Sequence, residues 1–304
     1  DALTDADHNV AIGFQALTDD TKGSRSTAVG KQALANQNFT TATNTANTAV
    51  GFEAGFSITT GFNNTFIGAE AGDAIQDADH NVAIGKAALS SDTFGSKSVA
   101  IGREALMTQN FTTATDAHNV AIGYNAGNDV TTGNKNVYIG SLAGDSATDG
   151  DHNIIIGYNS DLQSVGTAQV IVIGSQVTSQ AANNFTFGFS TTDSNIAFGG
   201  TTITAPSDER YKENIEDSTA GLSFINDLRP VTFQWKKEKD IPSDHSAYVE
   251  GSEDRVMLSK GEINHGFIAQ EVKAVIDNHD EIKDGFDMWS EDPEDGRQRV
   301  GDGA

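Results

Sequence analysis

A short phrase ending in glycine recurs along the first part of the chain, and its spacing limits what the chain can fold into. It reads NVAIG at 9–13, TAVG at 27–30 and 48–51, TFIG at 65–68, NVAIG at 81–85 and SVAIG at 98–102. It continues as NVAIG at 119–123, NVYIG at 136–140, NIIIG at 153–157 and VIVIG at 170–174. The closing glycines, Gly13, Gly30, Gly51, Gly68, Gly85, Gly102, Gly123, Gly140, Gly157 and Gly174, lie 17, 21, 17, 17, 17, 21, 17, 17 and 17 residues apart. A longer period of 72 residues overlies the short one: DADHNVAIG occurs at 5–13 and 77–85, and QNFTTAT at 37–43 and 109–115. The pairs Ala-Leu, Ala-Leu, Ala-Gly, Ala-Gly begin at 16, 33, 54 and 71, and the same series begins again at 88, 105, 126 and 143.

A period this short describes one coil of a solenoid, not a globular domain. Each coil offers a β-branched strand, a glycine at which the chain can turn, and a segment of small residues, with Asn, Asp, Thr and Gly in the remaining turns. Coils stacked at about 4.8 Å predict a mainly β rod of ten to twelve turns, roughly 50 Å long. Within a strand, Val10 and Ile12 point one way and Ala11 the other. Both faces are apolar, as in strands covered on both sides. A thin coil has only one inside, so the pattern predicts solenoids packed side by side, most simply as a homotrimer. The competing picture is a single β-helix whose alanines face solvent. The segments NNFTFGFS at 183–190 and SNIAFGG at 194–200 read as short strands that close the rod.

Composition changes near Ala205-Pro206. All four prolines and both tryptophans lie beyond Ala205 in the 304-residue chain. There, LRPVTFQWK at 228–236 alternates as a strand, with Val231, Phe233 and Trp235 on one face. HGFIAQEVKAVI at 265–276 starts as a strand and turns helical, and Asn214 to Leu228 reads as a short helix. Residues 237–262, with KKEKD and EGSED, read as an exposed insertion. The expected organisation is a β-solenoid shaft over 1–174, a closing β segment and linker over 175–205, and a smaller α+β domain over 206–304. The chain starts at Asp1 and is expected to be part of something longer.

Charge narrows the partners. The chain carries 43 acidic and 19 basic residues, a formal charge of −24. Nucleic acid and anionic membrane both require a basic footprint, so neither is expected as a partner. No run of about 18 apolar residues predicts membrane insertion. With no cysteine, disulfides and thiolate metal sites are excluded.

The repeats over residues 9–174 resemble the heads of trimeric autotransporter adhesins, left-handed β-roll trimers, and similar repeats occur in phage tail fibres. SDERYKENI, then LRPVTFQWK, then GFIAQEV, in that order, resemble the C-terminal intramolecular chaperone auto-processing domain of phage endosialidase tailspikes. That module also occurs in other phage tail fibres and in membrane-bound myelin regulatory factors. The resemblance implies a domain that helps three chains find each other, then cuts the bond before its own serine and leaves. It assigns Ser207 as nucleophile, Lys212 as general base and Pro206-Ser207 as the scissile bond, with structural roles for Asp208, Arg210 and Asn214. A serine hydroxyl needs a base, and a lysine serves only when burial or neighbours lower its pKa, which trimer formation would do. From spacing alone, Ser207 capping a helix with Lys212 on its solvated side is the commoner arrangement, and the two later motifs are what favour the dyad. The family ends in a long helix that contributes to trimer contacts, so the domain is expected to continue beyond Ala304.

Three further features invite a functional reading. His8, His80 and His152 recur in DADHN, DADHN and DGDHN, with His118 at the related place in DAHN. In a trimer each could form a ring of three imidazoles binding metal or anion, but Asx-rich turns of this kind usually bond the backbone, and no metal is expected. Asp5, Asp7, Asp77 and Asp79 lack the spacing of calcium loops. Phe39 and Phe111 sit in the two insertions, either as outward binding residues or folded onto the coil. No phosphate loop, dinucleotide fingerprint or glycosidase pair stands out, so no cofactor is expected and the only enzymology is a single-turnover serine self-cleavage. The reading is a virion tail or receptor-binding fibre whose partner is a host cell-surface receptor, a glycan or a surface protein. The alternatives are a bacterial trimeric surface adhesin or stalk with the same chaperone, or a glycan-degrading tailspike with its catalytic domain upstream.

Overall fold

The computed structural model describes residues 7–199, 213, 215, 221–243, 247–255, 263–279, 289–291 and 298–300. The chain divides into two compact units, Asp1–Pro206 and Ser207–Ala304.

The first unit is a β-solenoid. Its recurring phrase forms the strands Val10–Ile12, Thr27–Val29, Thr48–Val50, Thr65–Ile67, Val82–Ile84, Val99–Ile101, Val120–Ile122, Val137–Ile139 and Ile154–Ile156. These continue through Val170–Ser175 and Asn184–Phe189 to Thr192–Ala197, giving one sheet of 12 strands in chain order. Pairing is parallel and keeps equivalent residues opposite, as in Val10↔Thr27, Ala11↔Ala28 and Ile12↔Val29. Only the last pair, Asn184–Phe189 with Thr192–Ala197, is antiparallel, so a hairpin ends the sheet.

From the strand Thr27–Val29 to Ile154–Ile156 the middle residue points inward; Ala11, in the first coil, is exposed. Ala28, Ala49, Phe66, Ala83, Ala100, Ala121, Tyr138 and Ile155 are all fully buried. From the second strand on, the strand alanines therefore face the core, and the β-branched residues on either side are the ones turned outward. The core is narrow, and its volume is balanced between strand and corner except in the coils of Ala49 with Gly55 and Ala121 with Gly127, whose corners meet Phe66 and Tyr138 of the next coil. Where the strand supplies Ala28, Ala83 or Ala100, the corner of that coil supplies buried Leu34, Leu89 or Leu106. Where it supplies Phe66 or Tyr138, the corner is glycine. A Cβ on Gly72, at φ +59, would lie 2.4 Å from Phe66 Cε1, and one on Gly144 would lie 2.3 Å from Tyr138 Cδ1. The coil-closing glycines have a different need. Gly68, at φ +133, packs so closely on the next coil that a Cβ would lie 2.6 Å from Gly85 O.

A buried amide ladder joins the coils just before the strands. Asn64 donates from Nδ2 to Ala78 O at 2.8 Å, and its Oδ1 accepts from the Asn81 N–H at 2.8 Å. Asn136 repeats the arrangement with Gly150 O at 2.9 Å and the Asn153 N–H at 2.8 Å. In the two 21-residue coils the ladder position is Ser26 or Ser98, and a glutamine supplies the amide. Gln109 accepts from Asn119 Nδ2 at 2.8 Å and donates to Asp92 Oδ2 at 2.5 Å. Gln37 does the same between Asn47, at 2.8 Å, and Asp20, at 2.6 Å. The insertions thus carry their own interior polar network, fully buried and paired.

The second unit is a small α+β domain. Helix α1 spans Leu222–Asp227 and helix α2 Ala269–Asn278. The strand Val231–Phe233 pairs antiparallel with Asn264–Gly266, and Trp289–Glu291 with Gln298–Val300. In α2, Val272 and Ile276 lie one turn apart and are buried against Phe224 of α1, with Leu228, Val275, Trp289 and Val300 packed around them. Lys273 and Asp277 pair across one turn on the exposed side. The 265–276 segment does pass from strand to helix. The expected helix over Asn214 to Leu228 is described as α1 alone, because 214 and 216–220 fall outside the described residues. Among the described residues, no helix is long and apolar enough to cross a membrane.

Candidate functional sites

The shaft presents two outward columns. One holds the first residue of each coil strand from Val10 to Ile171, the other the third, from Ile12 to Ile173. Ile67, Ile122 and Ile139 remain 38, 37 and 36% exposed in the single chain. Cations and aromatics flank this stripe. On the N-terminal side of the strands run the exposed His8, Arg25, His80, Lys97, His118, Lys135 and His152, each in the left-handed backbone region. Just past the coil glycines, Lys31 stacks over Phe52 at 5.0 Å and Arg103 over Tyr124 at 5.7 Å.

The recurring His-Asp turns bond the backbone. Asp79 Oδ1 accepts from the Phe62 N–H at 2.9 Å and Asp151 Oδ1 from the Asn134 N–H at 2.7 Å, each in the preceding coil. His80 lies edge-on to Phe62 at 5.5 Å, with Nε2 3.3 Å from Asn63 Nδ2. Among the described residues, no group of three His, Cys, Asp or Glu is placed to hold a metal. Asp5 lies outside the described residues. Phe39 and Phe111 are buried, folded onto their coils, so the insertions expose Thr40, Thr41, Thr112 and Thr113 instead of an aromatic.

Several shaft carboxylates titrate high. Asp73 is pushed up to about 6, first by burial and then by the charges of Glu70 and Glu53, with backbone hydrogen bonds opposing. Its Oδ1 is buried without a hydrogen-bond partner. Burial also raises Asp92, against hydrogen bonds from Gln109 and the Phe111 and Gly95 N–H groups. Asp145 rises through burial and the charges of Asp161 and then Asp129, and Asp161 through burial and the charge of Asp129. Sequence reading did not single out these side chains. The available signal was recurrence one long period apart, of Asp at 73 and 145 and at 20 and 92.

In the second unit, charged pairs tie strands to helices. Arg229, just before the Val231–Phe233 strand, makes a bidentate pair with Glu271 of α2. Lys237 and Lys239 both bond Glu253 and hold its carboxyl down at about 2. His279 Nε2 lies 3.1 Å from Asp227 Oδ2, and its ring meets Phe224 edge-on at 5.5 Å, linking the ends of α1 and α2. An open cleft lies over the first strand pair, lined by Pro230, Val231, Thr232, His265, Gly266 and Phe267. Pro206, Ser207, Asp208, Arg210, Lys212 and Asn214 all lie outside the described residues.

A protein-family model, chaperone of endosialidase, matches residues 207–281. No curated protein and no solved structure matches the chain. A β-solenoid followed by a stretch similar to the chaperone of endosialidase fits a fibre with a C-terminal chaperone.

Proposed function

We propose that this chain is the shaft and assembly domain of a homotrimeric fibre, a virion tail or receptor-binding fibre that adheres to a host cell-surface receptor. Residues 206–304 bring three chains together, and residues 1–174 become the lasting shaft, closed by 175–205. Once assembled, the chaperone cuts Pro206-Ser207 and is released. Ser207 Oγ attacks the Pro206 carbonyl carbon while Lys212 Nζ takes the hydroxyl proton. The tetrahedral intermediate collapses to an ester on Ser207 as the serine nitrogen leaves with a proton, and water then frees the Pro206 carboxylate. The reaction consumes one water and happens once per chain.

One observation carries the reading: the family match begins at Ser207, and the chain divides into its compact units at the same bond. A second supports it. Among the described residues of the module Ile215, Leu222, Ile225 and Ile263 are all more than half exposed, an apolar surface that calls for neighbours to cover it. Trimer formation would bury that surface and desolvate Lys212 together, making the cut report assembly. A bacterial surface adhesin or stalk uses the same parts, and the proteins encoded alongside the chain distinguish the two. The test is size-exclusion chromatography with light scattering on the Ser207→Ala chain. Three copies are expected; a single copy at micromolar concentration refutes the reading.

A further inference from the structure

We propose that the two insertions of the shaft are paired binding sites for one uncharged glycan chain, contacted by the exposed hydroxyls of Thr40, Thr41, Thr112 and Thr113. The inference rests on the adhesive fibre proposed above and deepens it by naming the surface and the class of receptor. Insertions that leave the coil repeat unchanged come out on one face of a solenoid, which is often its binding face.

The two tips have the same sequence and the same anchors. QNFTTAT occupies 37–43 and 109–115. Beneath the surface, Phe39 and Phe111 are buried beside the Gln37–Asp20 and Gln109–Asp92 pairs. The Asn38 N–H donates to Thr59 O and the Asn110 N–H to Thr131 O, both at 2.9 Å. At the far end the Thr43 N–H reaches Lys22 O at 3.1 Å and the Thr115 N–H reaches Phe94 O at 3.2 Å. There a short extra parallel pair closes each tip, Gly23–Ser24 with Thr43–Asn44 and Gly95–Ser96 with Thr115–Asp116. Thr43 and Thr115 spend their hydroxyls on the tip itself, donating to Thr41 O and Thr113 O at 2.9 Å. The hydroxyls of Thr40, Thr41, Thr112 and Thr113 take no partner among the described residues. Both ends of each tip are thus held, and its free groups are in place before a ligand arrives, which lowers the ordering cost of binding.

What the tips share decides the ligand. Residues 32–52 and 105–115 contain no charged side chain, in a chain that is 20% charged. The flanks differ, with Lys22 beside the first tip and Phe94 and the Lys97–Asp116 pair beside the second. The common surface consists of threonine hydroxyls, the amides of Asn38 and Asn110, and the methyls of the threonines and of exposed Ala42 and Ala114. It offers donors, acceptors and small apolar contacts, and no cation to meet a sulfate, carboxylate or phosphate. That complements a neutral sugar ring, which alternates hydroxyls with C–H faces. The net charge of −24 further opposes an acidic polymer. Duplication favours a chain over a single sugar. The tips lie four coils apart, roughly 19 Å along the rod. A repeating ligand can engage both at once, and joining two contacts in this way raises affinity about 10²–10⁴-fold with no new contact.

The experiment applies the full chain with Ser207→Ala to an array of neutral and acidic oligosaccharides and polysaccharides, with light scattering on the same samples. The parent is expected to bind neutral chains and not acidic ones. Thr40→Ala with Thr41→Ala strips one tip and should weaken that binding about 10–100-fold, as should Thr112→Ala with Thr113→Ala. The quadruple variant should lose it altogether, while Thr191→Ala, exposed in the terminal hairpin, should bind as the parent. A parent of three copies that binds nothing, or only acidic chains, overturns the glycan assignment, as does a quadruple variant that binds as before. One-tip variants as tight as the parent overturn the paired contact. Single chains by light scattering overturn the fibre reading, and with it this assignment. If the quadruple variant loses its β circular dichroism, Thr41→Ala with Thr113→Ala is read instead, with weaker binding expected and unchanged binding counting against the tips.

Discussion

Replacing Phe66 with alanine should cost the shaft more than any other single truncation in its fourth coil, and the structure says why. The ring is fully buried between two corner glycines. Added Cβ atoms on Gly55 and Gly72 would lie 2.6 and 2.4 Å from it, so neither corner has a side chain that can move into the space left behind. Phe→Ala truncations in cores cost about 3–5 kcal/mol, and the upper half of that range applies where the site cannot collapse. The solenoid also predicts a repair. Other coils pair a strand alanine with a corner leucine in the same left-handed conformation, Leu34 at φ +49 and Leu17 at φ +52, close to Gly72 at φ +59. Phe66→Ala combined with Gly72→Leu should therefore regain about 1–3 kcal/mol as a coupling energy, although Gly72→Leu alone is destabilising. The assay is urea unfolding of the four proteins followed by circular dichroism. Because a solenoid's coils are coupled through their neighbours, Phe66→Ala should also split a single transition into two. A loss below about 1 kcal/mol for Phe66→Ala, or a double variant no better than the sum of its parts, refutes the idea that strand and corner share one core volume.

Asn136→Ala removes a donor to Gly150 O and an acceptor for the Asn153 N–H, and should cost about 1–3 kcal/mol for each buried group left unpaired, read as a lower urea midpoint. Gln109→Ala should likewise be disruptive, leaving Asp92 and Asn119 without their shared partner; an unchanged midpoint counts against the interior network. Asp73 titrates at about 6, above its unfolded value near 4, so the folded state holds its proton more tightly and stability falls as pH rises through that window. Asp73→Asn should accordingly raise the melting temperature at pH 7.5 and leave it nearly unchanged at pH 4, and the opposite ordering disproves the shift. Arg229→Ala, which frees Glu271 on an exposed surface, should cost no more than about 1 kcal/mol.

The period, the strands and the coil-closing glycines were legible in the sequence because each coil repeats one local solution, and repetition turns weak propensities into a strong signal. Which strand face lies inside was not legible. Ala11 and its equivalents alternate with Val and Ile, and both are apolar, so alternation alone leaves either one free to face the core. The deciding clue was longer in range: a bulky strand residue occurs with a corner glycine in its own coil, Phe66 with Gly72 and Tyr138 with Gly144, and only residues sharing one interior need such an exchange of volume. The buried Asn ladder was hidden for a similar reason. An Asn before a strand reads as a turn residue, and that each Asn reaches the next coil depends on stacking, which no single coil reveals. Nor did the insertions disclose whether Phe39 and Phe111 point out or in; the buried Asp92–Gln109 network beside Phe111 settles it inward. In the second unit, α2 and its preceding strand were readable from hydrophobic spacing. The His279–Asp227 contact was not, since it joins residues 52 apart at the ends of two different helices.

The central claim is that the chaperone module frees itself from the shaft it assembles. Intact mass spectrometry of the full chain beside its Ser207→Ala and Lys212→Ala variants tests it most directly. The account predicts two fragments from the parent, one ending at Pro206 and one beginning at Ser207, with both variants whole. A parent that stays whole after assembly, or a Ser207→Ala chain that is still cut, contradicts it.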